Sequence, residues 1–111
     1  MAGQALAHRS STYDSGSSVS SAGKINLWLV NKYENTTTYD LQVLSRDFEV
    51  IDESLWRSNY DDDQIVLDPE GVAEGIIIEV KNPGKYYACT TVAKGSGNGV
   101  RSRICLRLWY K

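Results

Sequence analysis

The sequence predicts an all-β chain, an antiparallel β-sandwich of six to eight strands with a flexible N-terminal tail. Three observations carry that prediction. Short runs rich in Val, Ile, Leu, Thr and aromatic residues alternate with polar positions. Turn signals recur about every 8–12 residues, the spacing of a sandwich. No stretch carries the 3.6-residue period of an amphipathic helix. With 111 residues the chain is long enough for one modest core.

Residues 1–23 form a Ser/Gly-rich segment without periodicity and are expected to be the flexible tail. Ala5-Leu-Ala7 is similar to the small-x-small end of a signal peptide, the alternative being an ordinary N-terminal segment. The sandwich domain is expected over 24–111. Ile25, Leu27 and Leu29 alternate with Asn26, Trp28 and Val30 in a strand running to about Tyr33. Glu34-Asn-Thr-Thr37 turns the chain, and Tyr39, Leu41 and Val43 mark a second strand, so the pattern implies a hairpin between the two. Phe48–Ile51 reads as a short strand and Asp52–Gln64 as a long acidic loop. Ile65–Leu67 is a further strand, stopped by Asp68-Pro-Glu-Gly71. Val72–Val80, centred on Ile76-Ile-Ile78, is the most apolar run and reads as a central strand; a bulge that inverted the parity would fall at Gly75 or near the closing turn.

Asn82-Pro-Gly84 leads into the closing hairpin, 85–93 and 100–110, joined by the turn Gly95-Ser-Gly-Asn-Gly99. A turn centred on Gly97 sets Cys89 opposite Cys105, and opposed Cβ atoms lie about 4.5–5.5 Å apart, near disulfide spacing. A disulfide points to an oxidising, extracytoplasmic compartment: secreted, periplasmic or surface, with a virion as the alternative. Parity sends Tyr86, Ala88, Thr90, Val92, Ile104, Leu106 and Leu108 to the core. Tyr87, Cys89, Thr91, Arg103, Cys105, Arg107 and Trp109 then face outward, towards solvent. The expected core is Ile25, Leu27, Leu29, Leu41, Val43, Ile76, Ile78, Tyr86, Leu106 and Leu108.

Gly84-Lys-Tyr86, followed by small and β-branched residues, resembles the tyrosine-corner entry to the penultimate strand of immunoglobulin-like and fibronectin type III-like sandwiches. The resemblance implies that Tyr86 tucks inward and that its hydroxyl bonds the backbone at the corner. The antibody Gly-x-Tyr-x-Cys pattern would need Cys at 88, where this chain has Ala88. The likeness is therefore to the sandwich superfamily at large.

Net charge is −2, but the charge is segregated. From Asp47 to Glu79 there are eleven acids and one base, Arg57; from Val80 to Lys111 there are seven bases and no acid. Two readings stand: acidic and basic faces that meet across neighbouring molecules, or two regions that neutralise each other within one sandwich.

Catalysis has little support. The only His, His8, is in the tail, so a triad or metal centre lacks its imidazole unless the tail folds back. The glycine-rich turn offers no phosphate-binding helix N-terminus, and the pattern implies no cofactor. Asp61, Asp62 and Asp63 could offer oxygen ligands to Ca²⁺ but lack EF-hand spacing, which favours a solvated loop. Trp56 and Tyr60 are candidates for an interface anchor or for stacking on sugar rings, or else cap the sandwich edge. Tyr87, Arg103, Arg107 and Trp109 are candidates for an anionic partner, or else stack on one another. A pI near 5.3 argues against nucleic acid, and no apolar run reaches membrane-spanning length. Asn35-Thr-Thr37 is a glycosylation sequon in a eukaryotic secretory setting. The leading reading is a non-catalytic extracytoplasmic structural or adhesive subunit of a surface, envelope or virion assembly, with a protein partner or self-association. The alternatives are a carbohydrate- or ligand-binding module and a redox-labile disulfide protein.

Overall fold

The computed structural model describes residues 8–12, 18–20, 23–96 and 102–111, with backbone alone at 12 and 18–20. The Ala5-Leu-Ala7 match and the Gly97 turn centre lie outside the described residues. Nine strands are present among the described residues: β1 (His8–Thr12), β2 (Ser18–Ser20), β3 (Lys24–Asn31), β4 (Thr37–Ser45), β5 (Trp56–Ser58), β6 (Gln64–Leu67), β7 (Val72–Val80), β8 (Gly84–Val92) and β9 (Arg103–Tyr110). They form two sheets, ordered β1-β3-β7-β5 and β2-β9-β8-β4-β6. Among the described residues helix is limited to the single 3₁₀ turns Glu53–Leu55 and Asp61–Asp63. The predicted sandwich is the observed fold. Every pairing is antiparallel except β2 with β9.

Alternation builds the core. Ile25, Leu27, Leu29, Leu41, Val43, Ile76, Ile78 and Leu108 are buried as expected, while Tyr86 and Leu106 are half-buried against them. At the middle of β7 the register slips: Leu27 pairs with Ile76, but Leu29 pairs with Ala73. Gly75 sits in this bulge at φ +69°, where a side chain would be strained. The slip lets Ala73, Ile76 and Ile78 all face inward. Asn59 stitches the bulge to β5, donating to the Gly75 carbonyl at 2.8 Å and accepting from the Ile77 amide at 2.9 Å.

Three elements differ from the sequence reading. β3 and β4 do not form a hairpin; β3 pairs with β1 and β7, whereas β4 pairs with β6 and β8 in the other sheet. Buried Asn31 accounts for the crossing. Its amide donates to the carbonyls of Asn35, Leu67 and Asp68, and its Oδ1 accepts from the Tyr33 amide and the Tyr39 hydroxyl. These bonds hold the chain where it leaves one sheet for the other, replacing the ladder that a hairpin would have supplied. Residues 48–51 make only an isolated bridge, Leu44 to Val50, and the edge strand is instead β5 around Trp56.

Third, two stretches of the segment expected to be a flexible tail are strands. β1 covers the edge of β3 and β2 the edge of β9. The anchor is His8, buried, with Nε2 2.8 Å from the Thr90 hydroxyl, Nδ1 3.1 Å from that of Ser102, and its ring against Tyr39. All four sheet edges are consequently short strands, with the long strands inside, an arrangement that limits edge-to-edge pairing.

Candidate functional site

The register of the five-stranded sheet places the outward residues in rows. Asp40, Thr91 and Arg103 form one row, Gln42, Cys89 and Cys105 the next, and Leu44, Tyr87 and Arg107 the third. Lys85 faces Trp109 in the row after that. Cys89 and Cys105 are bonded, as their register predicts. Parity puts the bridge on the outer face as expected, but not in solvent, because Cys89 is fully covered and Cys105 half-buried. That burial weighs against a readily exchanged bond.

On one side of the disulfide the face is closed. Arg103 donates from Nε to the Thr91 hydroxyl at 3.1 Å and from Nη2 to Gln42 Oε1 at 3.0 Å. Thr91 in turn donates to Gln42 Oε1 at 3.1 Å. Arg103 therefore straps β9, β8 and β4 together. On the inner face at this level lie Thr90 and the His8 imidazole. Burial lowers the His8 pKa to about 4, against a smaller opposing effect of hydrogen bonding at Ser102. Such an imidazole is a poor base, and its partners are hydroxyls, not a carboxylate that would orient it.

On the other side the face is open. Arg46, Lys85, Tyr86, Tyr87, Arg107 and Trp109 line a cleft of about 340 Å³. Lys85 Nζ lies 4.8 Å from the centre of the Trp109 ring, a cation–π contact. Phe48 stacks on Tyr87 with ring centres 4.5 Å apart and planes 15° apart. Tyr86 also borders the cleft, and its hydroxyl donates to the Asn82 carbonyl at 3.0 Å, the corner bond that the immunoglobulin-like resemblance implied. None of Arg46, Lys85 and Arg107 joins an ion pair among the described residues. Indeed no described ion pair links the acidic 47–79 block to the basic 80–111 block, so the segregated charge is not neutralised that way.

A second depression, about 460 Å³, lies alongside. It is lined by Asp40, Asp52, Glu53, Asp62 and Asp63, with Gln42, Leu41, Val50, Ile51 and Trp56. Here the expected loop residues divide. Trp56 is buried and Tyr60 is half-buried against the core. Asp62 and Asp63 line the hollow, while Asp61 stands outside its lining. Asp63 accepts from the Ser58 hydroxyl at 2.7 Å and Asp40 from the Gln64 amide at 2.8 Å. The Asp52 carboxylate caps the Glu53–Leu55 turn by accepting from the Ser54 amide, and that bond holds its pKa below the usual carboxylate value. Among the described residues no group of His, Cys, Asp and Glu is placed to hold a metal ion.

Tyr87, Arg107 and Trp109 are thus brought together, Arg103 is drawn into a structural strap, and the sequence reading missed Lys85, Arg46 and Phe48. Lys85 was within reach, since it shares parity with Tyr87. Arg46 and Phe48 were not, because their place depends on a loop turning back over Leu44.

No family model matches the chain, and no curated protein matches it in sequence. Among solved structures the chain is similar to the E. coli chaperone DraB, with a TM-score of 0.59 at 14% identity. The match covers 86% of this chain and 49% of that one, so the chain spans about half the length of the structure it resembles. At that identity the likeness speaks to the fold alone, an all-β sandwich.

Proposed function

We propose that this chain is a non-catalytic, extracytoplasmic protein-binding module, a subunit of a larger surface assembly, and that it grips a carboxylate-bearing polypeptide in the basic–aromatic cleft. The single observation that carries this reading is the cleft itself: three cations without ion pairs among the described residues, walled by Tyr87 and Trp109 and flanked by exposed Phe48. Aromatic residues and Arg are the types enriched at interface centres. The disulfide supports an oxidising compartment. The resemblance to a chaperone supports binding over chemistry. The carbohydrate alternative is weakened, because Trp56 is covered.

Titration with a fluorescent Asp/Glu-rich peptide tests this. The parent should bind it in preference to a Lys-rich peptide, with affinity falling as salt rises. Arg107→Glu should weaken binding by about tenfold or more, and Trp109→Ala should mainly speed dissociation. A parent that does not distinguish the two peptides at low salt overturns the reading.

A further inference from the structure

The acidic hollow borders the face that carries the basic cleft: its outward members are Asp40 and Gln42 on β4, while Leu41 on the inner side of that strand and Trp56 on β5 of the other sheet complete its lining. Asp40 and Gln42 on β4 point to the same side of the sheet as Tyr87 on β8 and Arg107 on β9, since the buried residues of β4 are Tyr39, Leu41 and Val43. The two depressions share no lining residue, so both can be occupied at once. Between them runs the turn 46–51, which gives Arg46 to the cleft and Val50 and Ile51 to the hollow. Its crest is apolar and exposed: Phe48 is 61% and Val50 60% accessible.

The turn is also strained where it need not be. Ser45 and Glu49 close it with a 2.8 Å bond from amide to carbonyl, and Phe48 occupies its left-handed position at φ +62°. Gly is the residue that three-residue hairpin loops favour there. Glycine would be easier on the backbone, and the ring, although stacked on Tyr87, stays largely exposed. A bulky aromatic kept at a strained, exposed position points to contact outside the chain.

We infer that this face is the two-fold interface of a homodimer, in which the basic cleft of each copy receives the acidic hollow of the other and the Phe48 crests meet at the axis. The inference rests on the reading above that the cleft takes carboxylates, and it names their source. A self-complementary face needs both charge signs side by side, and a two-fold then satisfies both at once. The hollow offers Glu53 and Asp62, exposed and without a hydrogen bond among the described residues, to Arg46, Lys85 and Arg107. Charge sets the register, while Phe48, Val50, Tyr87 and Trp109 supply the apolar contact.

Sedimentation velocity across a concentration series, at low and high salt, tests the proposal. The parent should pass from monomer to dimer and stop there, with the dimer weakened by salt. Arg107→Glu and Glu53→Arg should each raise the dissociation constant by about 100-fold, because a two-fold applies each change twice. Their equimolar mixture should recover the dimer, one contact being native on both sides and the other reversed on both. Phe48→Gly, which relieves the backbone, should remain folded yet lose the dimer. A parent that stays monomeric while still binding the acidic peptide overturns the dimer and leaves the binding reading intact. A ladder beyond dimer overturns the two-fold. A mixture that stays monomeric, or a Phe48→Gly variant that dimerises like the parent, shows that these surfaces do not meet.

Discussion

Arg103 and Arg107 stand on the same strand and the same face, with Cys105 between them, yet they do opposite things. Arg103 is committed within the chain, to Thr91 and Gln42. Arg107 lines an open cleft with two further cations. The disulfide marks the boundary between a closed end, secured by Arg103 outside and His8 inside, and an open end bounded by the 46–51 turn. The contrast shows that a basic residue's role follows from its cross-strand neighbour. Thr91 and Gln42 offer oxygen acceptors to Arg103, whereas Tyr87 and Leu44 leave Arg107 to find its acceptor elsewhere.

Breaking the boundary should have the largest effect. Cys105→Ser is expected to cost about 2–4 kcal/mol by the loop-entropy relation, read as a lower midpoint in chemical denaturation. The effect falls towards the bottom of that range if the hairpin stays paired in the unfolded ensemble. Acid should come next, acting on the closed end. Above about pH 6.5 imidazole is neutral in both states, and below it the unfolded chain takes up the proton first. Stability should therefore fall as pH drops from about 6.5 towards the folded value of about 4. The loss reaches up to about 3 kcal/mol, and His8→Asn should flatten that part of the profile.

Arg103→Ala is expected to cost about 1–2 kcal/mol, because it leaves Gln42 and Thr91 without their charged donor. Arg107→Ala should shift stability by no more than about 0.5 kcal/mol. Equal losses from the two arginine variants would erase the comparison; a stable Arg107→Ala protein that no longer binds the acidic peptide would sharpen it.

Much of this was legible in the residues. Alternation and turn signals located β3, β4, β6, β7, β8 and β9, most of the inward set and the Cys89–Cys105 register, and offered Gly75 as one of two places for a bulge. Local pattern carries such information because side chains in a strand alternate strictly. What the pattern lacks is partner choice. Ile25–Leu29 and Tyr39–Val43 look like a hairpin, and only the buried amide of Asn31, whose bonds reach Leu67 and Asp68, sends them to different sheets. β1 is similarly hidden. His-Arg-Ser-Ser-Thr has no apolar alternation, and its place depends on two hydroxyls far along the chain, those of Thr90 and Ser102. At the site, parity exposed Tyr87, Arg107 and Trp109 but could not distinguish Arg103 from Arg107. That distinction depends on β4, a strand remote in sequence.

The way the first strands are divided between the sheets bears on the order in which the chain is finished. β1 lies against β3, its near neighbour in sequence, so that edge can close while synthesis is still under way. β2 pairs with Leu108, Trp109 and Tyr110, the end of the last strand. Among the described elements, the second to emerge is therefore obliged to wait for the ninth. Until then the β9 side of the five-stranded sheet has no cover, and His8 lacks Thr90 and Ser102 to hold it. A nascent or translocating chain would carry its N-terminal segment half attached, clipped to one sheet and trailing from the other. Long-range closures of this kind are the slow ones. Among the described strands, the pairing of β2 with β9 is therefore expected to be one of the last contacts to form.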